Sequence, residues 1–257
     1  MSCLLFALCY CVMSYANSSG CKYPSSIFIE LQNTSERTAV IMNKDSNSVP
    51  EEVDMDIVAP DGIKLKATYY SPDKPGPGML LLHQCNMDRK SWKTLATALA
   101  KRGIHVLTFD YRGYGETLRV GGNDNLTTDI DAALKVLISQ PGVDKNNIAA
   151  GGASCGVDNA VQLAGRNGKI KALMLLSGPT TDKGFLYLKE HPDLPIFGAA
   201  SSEEDFAVKA INGMVATSKN PVSTMKVLHD AGHGAPMFTA DPGLLTSVTN
   251  WLVNVLR

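Results

Sequence analysis

Short apolar runs alternate with helical patterns along most of this chain, and no other feature limits its fold as strongly. The segments between the runs place apolar residues three or four apart, as Trp92, Leu95, Ala96 and Leu99 do. Repeated strand–helix units of this kind produce a mostly parallel, twisted sheet with helices on both faces. The predicted strands are residues 79–82, 104–109, 148–151, 172–176, 194–199 and 222–228.

A β-hairpin precedes these units. Residues 53–58 and 63–69 alternate apolar and polar side chains, and Pro60-Asp61-Gly62 lies between them as a turn. The hairpin adds two antiparallel strands to these six. We therefore expect an α/β fold with a sheet of about eight strands.

The composition and charge of the chain limit the classes of molecule that it is expected to bind. The chain has 257 residues, of which 44% are hydrophobic and 19% charged, and its net charge is −1. This length and composition fit one large globular domain. The charge gives no basic field for nucleic acid. The sequence contains no GxxxxGK[ST] loop, CxxC pair or HExxH helix, so we expect neither a nucleotide cofactor nor a metal site.

The N-terminal segment differs from the rest. Residues 1–21 carry no charged side chain, and Ser14-Tyr15-Ala16 resembles a cleavage site, so they are predicted to be a signal peptide. Ser19-Gly20-Cys21 is similar to the end of a bacterial lipobox. We expect the protein to be exported to the periplasm or the medium, or to be lipid-anchored, and to have no membrane span after processing. The alternative to a signal peptide is a misassigned start of the sequence. Residues 22–50 resemble a Ser/Asn-rich arm, and residues 51–257 are the predicted catalytic domain.

Ser154 lies at the centre of Gly152-Ala153-Ser154-Cys155-Gly156, between a predicted strand and a helical pattern. Gly-x-Ser-x-Gly in that context is typical of a tight turn that exposes the serine hydroxyl at the sheet edge. A glycine-rich turn with an ordinary surface serine is the alternative. Because a serine hydroxyl is a weak nucleophile, a catalytic role also requires a base and a group that orients the base.

His233 is the preferred base among five histidines. It lies between Gly232 and Gly234, in the loop after the last predicted strand. The orienting acid should follow an intervening strand, and Asp205 is the first choice, with Glu204 and then Asp182 in reserve. A capping box, Ser202-x-x-Asp205, would explain Asp205 without catalysis.

Backbone N–H groups must stabilise the oxyanion that forms during acyl transfer. The residue after the nucleophile supplies one such donor, here Cys155. The second should come from the loop after strand 79–82, at Gln84 or Cys85. Cys85 and Cys155 should then lie close together, either as free thiols or as a disulfide.

The chain resembles the α/β-hydrolase family over about residues 53–257. The resemblance rests on four segments and on the order serine, acid, histidine. One difference is Gln84, where the family commonly has glycine after histidine. The four segments are Leu80-Leu81-Leu82-His83-Gln84, Asp110-Tyr111-Arg112-Gly113-Tyr114-Gly115, Gly152-Ala153-Ser154-Cys155-Gly156 and Ala231-Gly232-His233-Gly234.

Within that family the chain is most similar to lidless esterases and dienelactone-hydrolase-like proteins, because residues 179–195 are too short for a large lid domain. Dienelactone hydrolases use a cysteine nucleophile, but only Ser154 has glycines at both −2 and +2. The resemblance implies a serine hydrolase that cleaves a small-molecule ester of modest acyl size. Peptidase and thioesterase activities remain alternatives, as does a non-catalytic binding protein on the same scaffold.

Overall fold

A computed structural model describes residues 50–118 and 125–257. The predicted signal peptide, residues 1–21, lies outside the described residues, and so do residues 22–49 of the predicted arm. No helix in the described ranges is both long and apolar enough to cross a bilayer.

Eight strands form one sheet in the order β1-β2-β4-β3-β5-β6-β7-β8. The β1–β2 and β2–β4 pairs are antiparallel, and the remaining pairs are parallel. The predicted hairpin and the mostly parallel sheet are thus confirmed. The strands are β1 (Glu51–Val58), β2 (Lys64–Ser71), β3 (Gly76–Leu82), β4 (His105–Phe109), β5 (Val143–Ala153), β6 (Ile170–Leu176), β7 (Ile196–Ser201) and β8 (Thr224–Leu228).

The central strands of the sheet are apolar on both faces, whereas the edge strands β1 and β8 are mostly exposed or half-buried. Along β3, Leu80 and Leu82 pack into one hydrophobic cluster, and Met79 and Leu81 pack into another. All four side chains are fully buried. A strand covered on both faces has no polar alternation, which explains why residues 79–82 are a continuous apolar run.

Seven α-helices cover the two faces within the described residues. A 3-10 helix, Arg89–Trp92, precedes α1. The sequence analysis does not predict the helix Asp182–Glu190, because Gly184 and four charged residues weaken its apolar pattern. Thr181 caps it by accepting a hydrogen bond from Gly184 N–H. The helices are α1 (Lys93–Lys101), α2 (Leu126–Ser139), α3 (Cys155–Arg166), α4 (Asp182–Glu190), α5 (Asp205–Val215), α6 (Met237–Ala240) and α7 (Pro242–Val255).

The carboxyl ends of the parallel strands meet at one edge of the sheet. The loops that follow β3, β5, β7 and β8 contain His83, Ser154, Glu204 and His233, respectively. Ligands of open parallel sheets bind at this edge, outside the strand ends. The topology therefore gathers the candidate residues from four distant parts of the chain.

Candidate active site

Ser154 occupies a sharp turn between β5 and α3. Its φ is 53° and its ψ is −120°, a conformation that non-glycine residues rarely adopt. Two backbone hydrogen bonds hold it there, from Ser154 N–H to Leu176 O at 2.8 Å and from Val157 N–H to Ser154 O at 3.0 Å. Backbone strain of this kind persists only when its surroundings enforce it, and it is concentrated at functional sites.

The glycines around Ser154 allow close backbone contacts. A Cβ atom on Gly152 would overlap the carbonyl of Gly156, and one on Gly156 would overlap the carbonyl of Leu82. Gly178 is equally restricted, because its Cβ would overlap the carbonyl of Ser154. The glycines of the motif are therefore required for the turn itself, as its pattern predicted.

His233 contacts Glu204, the first reserve, and this corrects the expectation that Asp205 would contact it. Glu204 Oε1 lies 2.5 Å from His233 Nδ1. Asp205 is exposed and is the first residue of α5, where its carboxylate favours the helix N-terminus. Asp182, the second reserve, is likewise the first residue of α4.

The loop that carries His233 reaches back across the sheet to the Ser154 turn. A Cβ atom on Gly234 would lie 3.3 Å from Ala153 Cβ, so the residue after the histidine contacts the residue before the serine. Gly234 has a φ of 71°, in the left-handed region that glycine tolerates. The histidine loop and the serine turn are thus neighbours although their strands are not.

A second acid–histidine pair supports this loop. Glu203 Oε1 lies 2.9 Å from His229 Nδ1, and Glu203 Oε2 accepts a hydrogen bond from Asp230 N–H at 2.9 Å. Hydrogen bonds, first from the Ser201 hydroxyl and then from that of Ser202, lower the pKa of Glu203 to about 2. Ser201 Oγ also accepts from Ala231 N–H at 3.0 Å. These bonds tie the chain after β7 to the chain after β8.

The side chain of Gln84 has a role that the sequence analysis missed. Gln84 is buried, its Oε1 accepts a hydrogen bond from Ala235 N–H at 3.0 Å, and its Nε2 donates to Asn86 Oδ1 at 2.9 Å. A Cβ atom on Gly234 would overlap Gln84 Oε1. A glycine at position 84 could not make these contacts, so Gln84 is a specific link from the β3 loop to the histidine loop.

His83 is part of the scaffold. It is fully buried and stacks on Tyr111 with ring centroids 3.8 Å apart. Its Nε2 accepts a hydrogen bond from Tyr111 N–H at 3.0 Å, so its Nδ1 carries the proton and donates to Gln84 O at 2.8 Å. Burial lowers the pKa of His83, which favours this neutral form.

Cys85 and Cys155 form a disulfide. Their Cα atoms are 5.9 Å apart although 70 residues separate them in sequence. Cys85 is exposed and Cys155 is half-buried as the first residue of α3. Of the two alternatives that the sequence left open, free thiols or a disulfide, the structure has the disulfide.

The segment 110–115 is also structural. Asp110 is fully buried, and Arg89 Nη1 donates to its Oδ2 at 2.6 Å. The N–H groups of Arg89 and Glu116 donate to the same carboxylate at 2.8 Å each. A carboxylate with three such donors is fully engaged in holding the loop after β4. Within residues 50–118 and 125–257, no group of three or more His, Cys, Asp or Glu side chains is placed to hold a metal ion.

Comparison with known proteins agrees with this architecture. A family model described as alpha/beta hydrolase fold matches residues 77–207, just over half of the chain. An esterase of Pyrococcus furiosus superposes with a TM-score of 0.64 at 16% identity, over 81% of this chain and 92% of that one. A dienelactone hydrolase of Anabaena variabilis gives a TM-score of 0.61 at 17% identity, over 82% and 100%. At such low identity, the likeness to these structures concerns the fold.

Sequence relatives cover less of the chain. An uncharacterized protein of Mycobacterium tuberculosis is 33% identical over 153 residues, which are 59% of this chain and 54% of that protein. A thiohydrolase of Aspergillus aculeatus is 29% identical over 130 residues, 48% of this chain and 40% of that protein. The chain thus spans about half or less of the length of these relatives.

Proposed function

The chain belongs to the α/β-hydrolase family, and from that premise we propose that it is a serine hydrolase that cleaves small-molecule carboxylic esters through an acyl-enzyme. The observation that carries the proposal is the pairing of His233 Nδ1 with Glu204 Oε1, in a loop packed against the Ser154 turn. Because the acid engages Nδ1, the other ring nitrogen, Nε2, is left for the serine.

In the proposed reaction, Ser154 Oγ attacks the ester carbonyl and gives its proton to His233 Nε2. Glu204 keeps the imidazole in the required tautomer and stabilises the imidazolium that forms. His233 then protonates the leaving alcohol, and the acyl group stays on Ser154. A water molecule, deprotonated by His233, releases the acid and regenerates the serine.

Two backbone N–H groups would stabilise the oxyanion, that of Cys155 and that of the β3 loop. Cys85 is better supported than Gln84 as the second donor. The carbonyl of Gln84 already accepts from His83 Nδ1 at 2.8 Å and from Met87 N–H at 3.1 Å. In a trans peptide the N–H points opposite to the carbonyl, so the Cys85 N–H faces away from those donors.

The test is Ser154→Ala against short-chain p-nitrophenyl esters. We expect a loss of roughly 10⁴-fold in kcat, as for removal of a triad member. A fluorophosphonate probe should label the wild type and not the variant. Ser139→Ala is the matched control, because Ser139 lies at the end of α2, at the opposite sheet edge. Full esterase activity in Ser154→Ala would overturn the proposal.

A thioester is the second candidate substrate class, because the relative from Aspergillus aculeatus is a thiohydrolase. The same triad serves both bond types, since an acyl carbonyl is attacked in each case. Parallel kcat/KM measurements on an oxygen ester, a thioester and a peptide amide of one acyl group would rank the substrates. A wild type inert to all three and to the probe would favour a non-catalytic binding protein.

A further inference from the structure

The Cys85–Cys155 disulfide joins the two residues whose N–H groups are the proposed oxyanion donors. One donor follows β3, and the other begins α3. Among the covalent connections of the described residues, this bond is the direct link between the two halves of the oxyanion hole. We propose that the disulfide sets the spacing of the two donors and places acyl transfer at Ser154 under thiol control. This inference rests on the proposed function.

The distance between the two N–H donors is the property that the disulfide would control. Oxyanion donors act when they lie about 2.7–3.1 Å from the developing charge, and removing one donor costs about 10²- to 10³-fold in kcat. The disulfide holds the two Cα atoms 5.9 Å apart, close enough for two amides to converge on one oxygen. The β3–β5 ladder ends at Leu82 and Gly152, and Gln84 contacts the histidine loop. Beyond the ladder, the disulfide is the covalent bond that joins the two donor residues, Cys85 and Cys155.

The surroundings of the disulfide also favour exchange with thiols. Cys85 is an exposed residue and Cys155 is half-buried, so an external thiolate should attack the disulfide at Cys85. The sulfur released by that attack is Cys155 Sγ, at the first residue of α3, a helix of 12 residues. Helix N-termini stabilise thiolates, and a more stable thiolate is a better leaving group. Reduction of the disulfide should therefore proceed by attack on the Cys85 sulfur.

The reductant is a dithiol. Its first thiolate attacks Cys85 Sγ, the Cys85–Cys155 bond breaks, and Cys155 leaves as a thiolate that takes a proton. The second thiol of the reductant then displaces Cys85, so the reductant becomes a disulfide while the protein gains two electrons and two protons. Oxidation with a disulfide reagent reverses the exchange.

The test compares the oxidised protein, the protein reduced with dithiothreitol, and the double variant Cys85→Ser/Cys155→Ser. Each is assayed for kcat and KM on a p-nitrophenyl ester and on the matching thionoester. We expect reduction to lower kcat for the oxygen ester by about tenfold or more, with KM changed by less than about threefold. Reoxidation should restore it. The double variant should match the reduced protein and be insensitive to dithiothreitol, which controls for the four other cysteines.

The thionoester separates positioning from stability. A thiocarbonyl sulfur accepts hydrogen bonds poorly, so its hydrolysis depends less on the oxyanion donors. Loss of donor spacing should therefore lower the ratio of kcat/KM for the oxygen ester over the thionoester. A fall of both activities by the same factor would assign the disulfide a purely structural role and overturn the inference.

The outcomes also distinguish this inference from the proposed function. If the oxidised protein shows Ser154-dependent activity that reduction and the double variant leave unchanged, the inference fails and the proposed function stands. If the oxidised protein neither hydrolyses esters nor reacts with a fluorophosphonate, the proposed function fails and the inference fails with it. Circular dichroism and the thermal midpoint confirm that each form is folded.

Discussion

Gln84 Oε1 accepts a hydrogen bond from Ala235 N–H at 3.0 Å, which joins two loops 151 residues apart in the chain. The next residue of the first loop, Cys85, is bonded to the serine turn. The β3 loop therefore contacts both the turn that carries Ser154 and the loop that carries His233. The relative positions of Ser154, His233 and the proposed oxyanion donors should depend on this one short segment.

Gln84→Ala removes the acceptor for the buried Ala235 N–H. An unsatisfied buried donor costs about 1–3 kcal/mol, and the histidine loop loses its link to β3. We expect kcat to fall about tenfold or more with a smaller change in KM, because His233 is less well placed in the transition state. Gln140→Ala, at the far end of α2, is the control. Unchanged kcat in Gln84→Ala would contradict a positioning role.

Glu204→Gln and Asp205→Asn together identify the acid. Glutamine at 204 can present an amide N–H to Nδ1 and favour the wrong tautomer, so we expect a kcat loss on the order of 10⁴-fold. Asp205→Asn should leave kcat within about twofold and cost only about 0.3–1 kcal/mol in the free energy of unfolding, through the α5 N-terminus. Steady-state kinetics measures kcat, and urea denaturation measures the free energy of unfolding of each variant. The reverse ranking would restore Asp205 as the acid.

Glu203→Gln should destabilise the protein at neutral pH but not in strong acid. The pKa of Glu203 is lowered to about 2 in the folded protein from an ordinary value of 4.5. A carboxylate with a depressed pKa contributes stability above its unfolded pKa and loses it as the pH falls through its folded pKa. The difference in unfolding free energy between wild type and variant should therefore shrink between about pH 4.5 and pH 2. Urea titrations across that range measure it, with Glu190→Gln as an exposed control.

Gly156→Ala should lower stability and activity together, because its Cβ would overlap the carbonyl of Leu82. Displacing backbone to relieve such an overlap costs about 1–3 kcal/mol in unfolding free energy, and the shift lies within the serine turn. Gly168→Ala is the matched control, since no atom lies within 4 Å of the Cβ position there. Thermal unfolding of both variants checks this. Equal midpoints would show that the turn adapts to a side chain.

Local sequence patterns predicted the strands of the sheet but not all of its helices. Continuous apolar runs such as 79–82 occur when a strand is buried on both faces. The run therefore indicates a sheet with helices packed on both sides. The helix Asp182–Glu190 is not predicted because Gly184 and its charged residues interrupt the apolar pattern expected of a helix. Its Thr181 cap and its packing on α3 stabilise it in the fold. The observed strand limits differ from the predicted ones by a few residues. The strand predicted over 148–151, for example, is β5, Val143–Ala153.

The sequence by itself determined the strand–helix order, the serine turn and the glycine-flanked His233, because each depends on residues adjacent in the chain. Only the tertiary structure decided that Glu204 rather than Asp205 contacts His233, that Cys85 is bonded to Cys155, and that Gln84 holds the histidine loop. Neighbouring residues such as Glu204 and Asp205 point in different directions where a loop enters a helix. Which of them reaches a partner is set by the packing of loops that lie far apart in sequence, and no local pattern encodes that.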